Sequence, residues 1–186
     1  NHFRTGRLPG NHSFSYDRSA STLKLYFSPL PLYSPSKQNE HNMRLVIQRT
    51  SGAEVWIDGA RHSRTEAGLL ILFGTQADDS EQSCAWLADK AVNLRIFEDD
   101  EGRMNRSVQD IGGEVMVVSQ FTLYADCRKG RRPSFGKAQD PAEAENLYGR
   151  FVELVAASGL TTATGVFGAR MDIRFNNHGP VTILLD

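Results

Sequence analysis

Two short, unbroken apolar runs constrain this chain more than any other feature: Leu69-Leu-Ile-Leu-Phe73 and Val115-Met-Val-Val118. A run without polar alternation has no face to give to water, so each is expected to be a central strand covered on both sides. Between them Asp78-Asp-Ser80-Glu81 supplies helix-start chemistry, and Cys84, Leu87, Ala88, Ala91 and Leu94 recur at three- and four-residue spacing. That spacing predicts an amphipathic helix over about 80–94, with Trp86 at the margin of its stripe. After the second run, Asp140 and Pro141 form an N-cap and first-turn pair, with Glu143 in the capping-box position. Ala144, Leu147, Phe151, Leu154 and Val155 make the buried stripe of a second helix, and Gly159 ends it.

The flanks alternate. Leu45 and Ile47 mark one strand, and Val55 and Ile57 a second that ends at the Asp58-Gly59 turn. Past the second helix, Val166, then Met171, Ile173 and Phe175, then Val181, Ile183 and Leu185 continue the same period of two. Two strand-helix units between strand pairs and triples predict an α/β fold with a helix layer over two β layers. The 186 residues suffice for one good core.

Residues 43–186 are expected to form that single domain. Residues 1–42 are rich in Ser, Pro, Asn, Arg and Lys, have no periodic apolar face, and are expected to be a poorly ordered extension. Leu23-Lys-Leu-Tyr-Phe27 is the one short strand candidate there, stopped by Pro29, Pro31 and Pro35. A true extension, an artefact of the assumed translation start, a piece added for expression and an organelle-targeting segment all stay open for this stretch.

Several function classes are disfavoured. Net charge is −1, so a polyanion partner has to be met by local charge rather than by the bulk field. Cys84 and Cys127 cannot build a disulfide framework or a Cys-x-x-Cys pair, which fits a reducing, cytoplasmic location. No apolar run approaches the roughly 20 residues that span a bilayer. There is no Gly-x-Ser-x-Gly or His-Glu-x-x-His, and residues 43–186 hold only His62 and His178, so neither a metal nor a cofactor is expected. Glu98-Asp-Asp-Glu-Gly102 lacks calcium-loop spacing and reads as a solvated turn. The stretch from Gly130 to Ala138 resembles a phosphate loop, but the glycine spacing and the final alanine are wrong for nucleotide and magnesium.

Two stretches remain. Ser119-Gln120-Phe121-Thr122-Leu123 closes the second apolar run, at the end of a strand where open α/β sheets place their sites. Asn177-His178-Gly179-Pro180-Val181-Thr182 interrupts the last strands with a pair that gives no ladder N–H at proline and admits unusual backbone at glycine. A cis bond between Gly179 and Pro180 would let two adjacent carbonyls point the same way. A third feature is electrostatic: Arg128, Lys129, Arg131, Arg132 and Lys137 crowd one turn and suit phosphate contacts that orient a nucleic acid without reading bases. Thr122, then Ser119, is the natural hydroxyl nucleophile, yet no sequence neighbour supplies a base. His178 is a weak candidate for that role, and Cys127 needs the same missing partner.

Taken together, these two stretches resemble the paired signature of the D-aminoacyl-tRNA deacylases. Further matches are Arg44-Leu-Val-Ile-Gln-Arg49, Arg95-Ile-Phe97, Met104-Asn105, Arg132-Pro-Ser-Phe135 and Thr164-Gly165-Val-Phe167-Gly-Ala169. The resemblance implies a three-layer α/β/β fold, β(2)-(βα)2-β(3), and a homodimer in which the Gly-Pro motif reaches the partner's site. It implies hydrolysis of D-aminoacyl-tRNA assisted by the tRNA's own 2′-hydroxyl, with the amides around Phe121 and Thr122 holding the ester carbonyl and Ser119 and Gln120 beside them. The carbonyls of Gly179 and Pro180, next to Asn177, would clasp the α-amino group so that an L side chain meets the wall. Glycine would pass, including glycyl-tRNA mischarged on tRNA-Ala. Arg49 would orient the motif, and Phe167, Ala169 and Met171 would line the pocket and its adenosine surface. Two rival classes stay in view: a non-catalytic tRNA-binding module, and a Thr- or Cys-dependent hydrolase of small esters.

Overall fold

The computed structural model describes residues 3–8, 12–17, 24–26 and 43–186. The chain divides into two compact units, Asn1–Glu40 and His41–Asp186. In the first, β1 (Phe3–Leu8), β2 (His12–Asp17) and β3 (Lys24–Tyr26) form an antiparallel sheet in that order. The strand expected at Leu23–Phe27 is β3; β1 and β2 were not legible in a segment without an apolar run. The expectation of poor order for the rest of residues 1–42 lies outside the described residues.

The second unit contains β4 (Arg44–Ile57), β5 (Ala60–Thr65), β6 (Gly68–Gly74), α1 (Glu81–Val92), β7 (Phe97–Glu98), β8 (Met104–Arg106), β9 (Glu114–Ser119), α2 (Pro141–Ala157), β10 (Thr162–Thr164) and β11 (Asp172–Leu185). Its main sheet has the order β10-β9-β6-β4-β11, with β5 also paired to β4. β6, β9 and β10 are parallel, and β4 pairs antiparallel with β5, β6 and β11.

Both apolar runs are central strands. Leu69, Ile71 and Phe73 of β6, with Val115 and Val117 of β9, face α1 and α2, where they meet Cys84, Leu87, Ala91, Leu147, Phe151 and Val155. Leu70, Met116 and Val118 face the opposite way and pack on Ala53 and Val55 of the far half of β4. The alternation of β4 therefore serves two cores in succession, passing from one to the other at Ser51-Gly52. Each buried aliphatic side chain stabilises the fold by about 1.5–3 kcal/mol. The helices begin where capping chemistry places them: Ser80 Oγ accepts from the Ser83 amide at 3.4 Å, and Asp140 Oδ1 from that of Ala142 at 3.0 Å. Gly159, at φ +87°, follows the Ser158 C-cap.

The outcome is the three-layer α/β/β arrangement, but its strands are divided differently from the expectation. The two leading strands are one, β4, and the true second strand is β5, whose Ala60-Arg-His-Ser-Arg-Thr65 carries no apolar alternation. The closing segments after Met171 are likewise one strand, β11, interrupted by a bulge. In the 98–102 turn the Asp99 carboxylate accepts from the amides of Glu101 at 3.0 Å and Arg103 at 2.9 Å, which closes the β7–β8 hairpin. These bonds, that of Arg103 foremost, hold its carboxyl below the usual range.

Candidate active site

The sequence suggests that β9 runs on to Leu123. It stops at Ser119, and Phe121–Tyr124 form a single 3-10 turn. The neighbouring strand explains the break. Gln120 donates its amide to Phe73 O at 2.6 Å, and Gly74 leaves room for the turn: a Cβ there would stand 3.0 Å from Gln120 O and 3.2 Å from the Leu123 side chain. Arg44 secures the far end, donating to Leu123 O at 2.9 Å and lying 5.1 Å from the centre of the buried Tyr124 ring. The Leu123 and Ala125 amides bond back to Gln120 O and Thr122 O. The amides of Phe121 and Thr122, first in the turn, have no acceptor within it.

Beside this turn lies a cavity of about 500 Å³ at the C-terminal end of the parallel strands. Ser119, Gln120 and Phe121 form one wall and Phe167, Ala169 and Met171 another, with Val118 and Ile173 beneath. Gly165 brings the second wall close: a Cβ there would come within 2.6 Å of Met171 Sδ, which also accepts the Val166 amide at 3.4 Å. Six of the residues singled out in the sequence thus meet at one cavity. Thr122 stands beside it on the turn, exposed, its hydroxyl oxygen accepting a hydrogen bond from Gln120 Nε2. An amide cannot take a proton from a hydroxyl. The turn is therefore equipped to donate hydrogen bonds to a carbonyl rather than to activate a nucleophile.

The Gly-Pro motif occupies a bulge on β11. Asn177 pairs with Thr50 and Thr182 with Gln48, so five steps along β11 match two along β4. Asn177 ties the bulge across its neck: its Oδ1 accepts from the Val181 amide at 2.8 Å, while its Nδ2 donates to Thr182 Oγ1 at 3.0 Å and to Gln48 Oε1. The Gly179-Pro180 bond is cis. Buried Arg49 holds the loop from beneath, donating through Nε to His178 O at 2.8 Å and through Nη1 to Ile96 O at 2.6 Å. Gly179 sits at φ +132°, and a Cβ there would come within 2.7 Å of Arg49 Nη2. Gly179 and Pro180 are exposed and do not line the cavity beside Phe121 of their own chain.

The basic turn is a closed loop. Asp126 and Ser134 exchange backbone hydrogen bonds of 2.7 and 3.0 Å, and a bridge between Gln76 and Ala138 anchors its end. Arg128, Lys129, Arg131, Arg132 and Lys137 are all exposed. Arg128 is committed to Asp126, with Nε 2.9 Å from Oδ1, and this side-chain hydrogen bond is the main cause holding the Asp126 carboxyl well below the usual range. Sequence reasoning missed Phe135, whose ring stands edge-on to Phe121 at 5.1 Å; it lies in a quoted motif but on no periodic face. It also missed Arg44 and Tyr124, which support the turn from a distant strand.

Among the described residues no three His, Cys, Asp or Glu side chains gather as a metal site, and no helix is long and apolar enough to cross a membrane. Residues 46–186 match the model of a family described as D-Tyr-tRNA(Tyr) deacylase. A D-aminoacyl-tRNA deacylase of Thermotoga petrophila is 54% identical over 144 residues, which are 77% of this chain and 97% of that protein. That of Desulfotalea psychrophila is 53% identical over the same shares. A solved structure of a c-Myc DNA unwinding element binding protein matches at 35% identity and TM-score 0.73, over 77% of this chain and 97% of its own. One described as a probable eukaryotic D-amino acid tRNA deacylase shares the fold at 18% identity and TM-score 0.68, over 77% and 98%.

Proposed function

The chain belongs to the D-Tyr-tRNA(Tyr) deacylase family, and from that premise we propose that it hydrolyses the ester of D-aminoacyl-tRNA, releasing free D-amino acid and tRNA. The observation that carries the reading is the cavity walled by Ser119, Gln120 and Phe121, on a turn whose Phe121 and Thr122 amides have no acceptor within it and whose Thr122 hydroxyl meets an amide donor rather than a base. In this mechanism the ester carbonyl lies against the Phe121 and Thr122 amides, which stabilise the oxyanion as it develops. Ser119 and Gln120 fix the turn's orientation, and Thr122 Oγ contributes a contact. The ribose 2′-hydroxyl, already next to the reacting carbon, supplies the proximity that no side chain provides. Phe167, Ala169 and Met171 hold the adenosine.

Handedness is read by the bulge. Gly179 and Pro180 are exposed on their own chain, stiffened by Arg49 and Asn177, which suits a motif that enters the cavity of a second copy. In a homodimer the two carbonyls clasp the α-amino group, an L side chain strikes the wall, and glycine passes, glycyl-tRNA mischarged on tRNA-Ala included. The loop carrying Arg128, Lys129, Arg131, Arg132 and Lys137 meets tRNA phosphates. The setting is cytoplasmic.

The test is deacylation by purified protein. D-Tyr-tRNA is expected to lose its amino acid, L-Tyr-tRNA to survive, and D-Tyr-tRNA ending in 2′-deoxyadenosine to turn over poorly. Intact D-Tyr-tRNA at micromolar protein would sink the proposal. The basic loop also favours a second reading, a tRNA-binding module without turnover; salt-sensitive binding with no release of amino acid would select it.

A further inference from the structure

A second cavity of about 490 Å³ abuts the first. Three segments run directly from one into the other: Gly74 and Thr75 line the first and Gln76 the second, Gln120 and Phe121 the first and Tyr124 the second, Ala138 and Gln139 the first and Lys137 the second. Their common wall is the Gln76–Ala138 bridge together with the Gln139 amide donating to Thr75 O at 3.1 Å. Thr75 and Gln76, and again Ala138 and Lys137, are chain neighbours that line different cavities, so on these segments a single residue step of about 3.8 Å separates the two linings.

Arg44, Arg128 and Lys137 line this second cavity against a single lining carboxylate, Asp126. Arg128 neutralises Asp126, and Arg44, 3.5 Å from Asp186, is held in place by Leu123 O and the Tyr124 ring. Lys137 makes no ion pair among the described residues and is exposed. A preset arginine and an ammonium without an ion-pair partner, lining one cavity, suit a phosphate dianion or diester.

We propose that this cavity is a phosphate subsite: with the aminoacyl-adenosine ester in the first cavity, the 5′-phosphate of that same nucleotide sits against Lys137 and Arg44. The inference rests on the deacylase reading and adds where the substrate's last internucleotide linkage is gripped. Lys129, Arg131 and Arg132, further round the loop, then continue the track to upstream phosphates.

The experiment compares the D-tyrosyl 3′-ester of adenosine 5′-monophosphate with that of adenosine. Wild-type protein should prefer the phosphorylated ester by about tenfold in kcat/KM, expressed in KM, as befits one charge-assisted hydrogen bond. In Lys137→Ala the ratio should fall towards one, and Lys137→Arg should restore part of it. With D-Tyr-tRNA, Lys137→Ala should also shrink the slope of log affinity against log salt by about 0.7. A wild-type ratio within twofold, or a ratio or salt slope unchanged in Lys137→Ala, overturns the subsite. Failure of wild-type protein to deacylate D-Tyr-tRNA at all overturns the deacylase reading instead.

Discussion

Replacing Arg49 by lysine isolates what holds the Gly-Pro bulge. The guanidinium serves two carbonyls from two edges, His178 O through Nε and Ile96 O through Nη1, while its pairing with the mostly exposed Glu98 at 3.9 Å adds little. One ammonium cannot reach both carbonyls in that fork geometry. The lost bond involves a charged donor in a buried place, so the variant should be less stable by about 1.5–3 kcal/mol. With a urea slope of about 2 kcal/mol per molar, the unfolding midpoint should drop by about 1 M. Because His178 O adjoins Gly179, the same change should loosen the bulge, and the ratio of D- to L-Tyr-tRNA deacylation should fall by about tenfold. An unchanged midpoint together with an unchanged ratio would refute the argument that Arg49 positions the motif.

Gly68→Ala would place a Cβ 1.9 Å from Glu114 O, against backbone that cannot retreat without parting β6 from β9, so a loss of about 3 kcal/mol or more is expected in denaturant titration. Desolvation pushes the Cys84 thiol up to about 12, and its S–H faces Leu147 O at 3.4 Å, so iodoacetamide at pH 8 should label only Cys127 in the native protein, as mass spectrometry would show. Thr122→Ala should retain kcat within about tenfold if its hydroxyl is only a supporting contact, whereas a nucleophile's loss would abolish turnover. The Asp126 carboxyl is lowered in the folded chain, so its contribution to the loop is fully present above the unfolded value of about 3.9 and disappears as pH falls through the lower folded one. Exchange protection of the Ser134 amide should accordingly be the same at pH 7 and pH 5 and decline only in stronger acid.

Where burial is apolar and periodic, the sequence announced the structure. β6, the apolar part of β9 and both helices follow from spacing, because the residues that pack are the residues that recur; helix-start chemistry at 78–81, Asp140 and Gly159 mark their ends, though α1 stops at Val92, short of the expected Leu94. β5 escaped because its inward contacts are polar. Ser63 Oγ donates to Thr164 O at 2.7 Å, and Thr65 is buried without being apolar. The end of β9 misled because Phe121 and Leu123 prolong an apolar alternation that the close passage of Gly74 forbids as strand. Arg44 belongs to the same class of miss: it reads as the solvent half of β4, yet it acts on a carbonyl 79 residues away. The two motifs stood out by resemblance, while the second cavity did not, since its lining comes from four separated stretches, at Arg44, Gln76, 124–128 and Lys137, whose only common property is their meeting point.

β4 acts as a ruler. Arg44 grips the Phe121–Tyr124 turn and Arg49 the Gly179-Pro180 bulge, from opposite faces of one strand about 17 Å apart along its length. A one-residue slip would turn both arginines to the wrong side together. Turn and bulge are in this sense geared to a single shaft, and a change that shifts the register of the whole strand should disturb both at once rather than trade one against the other.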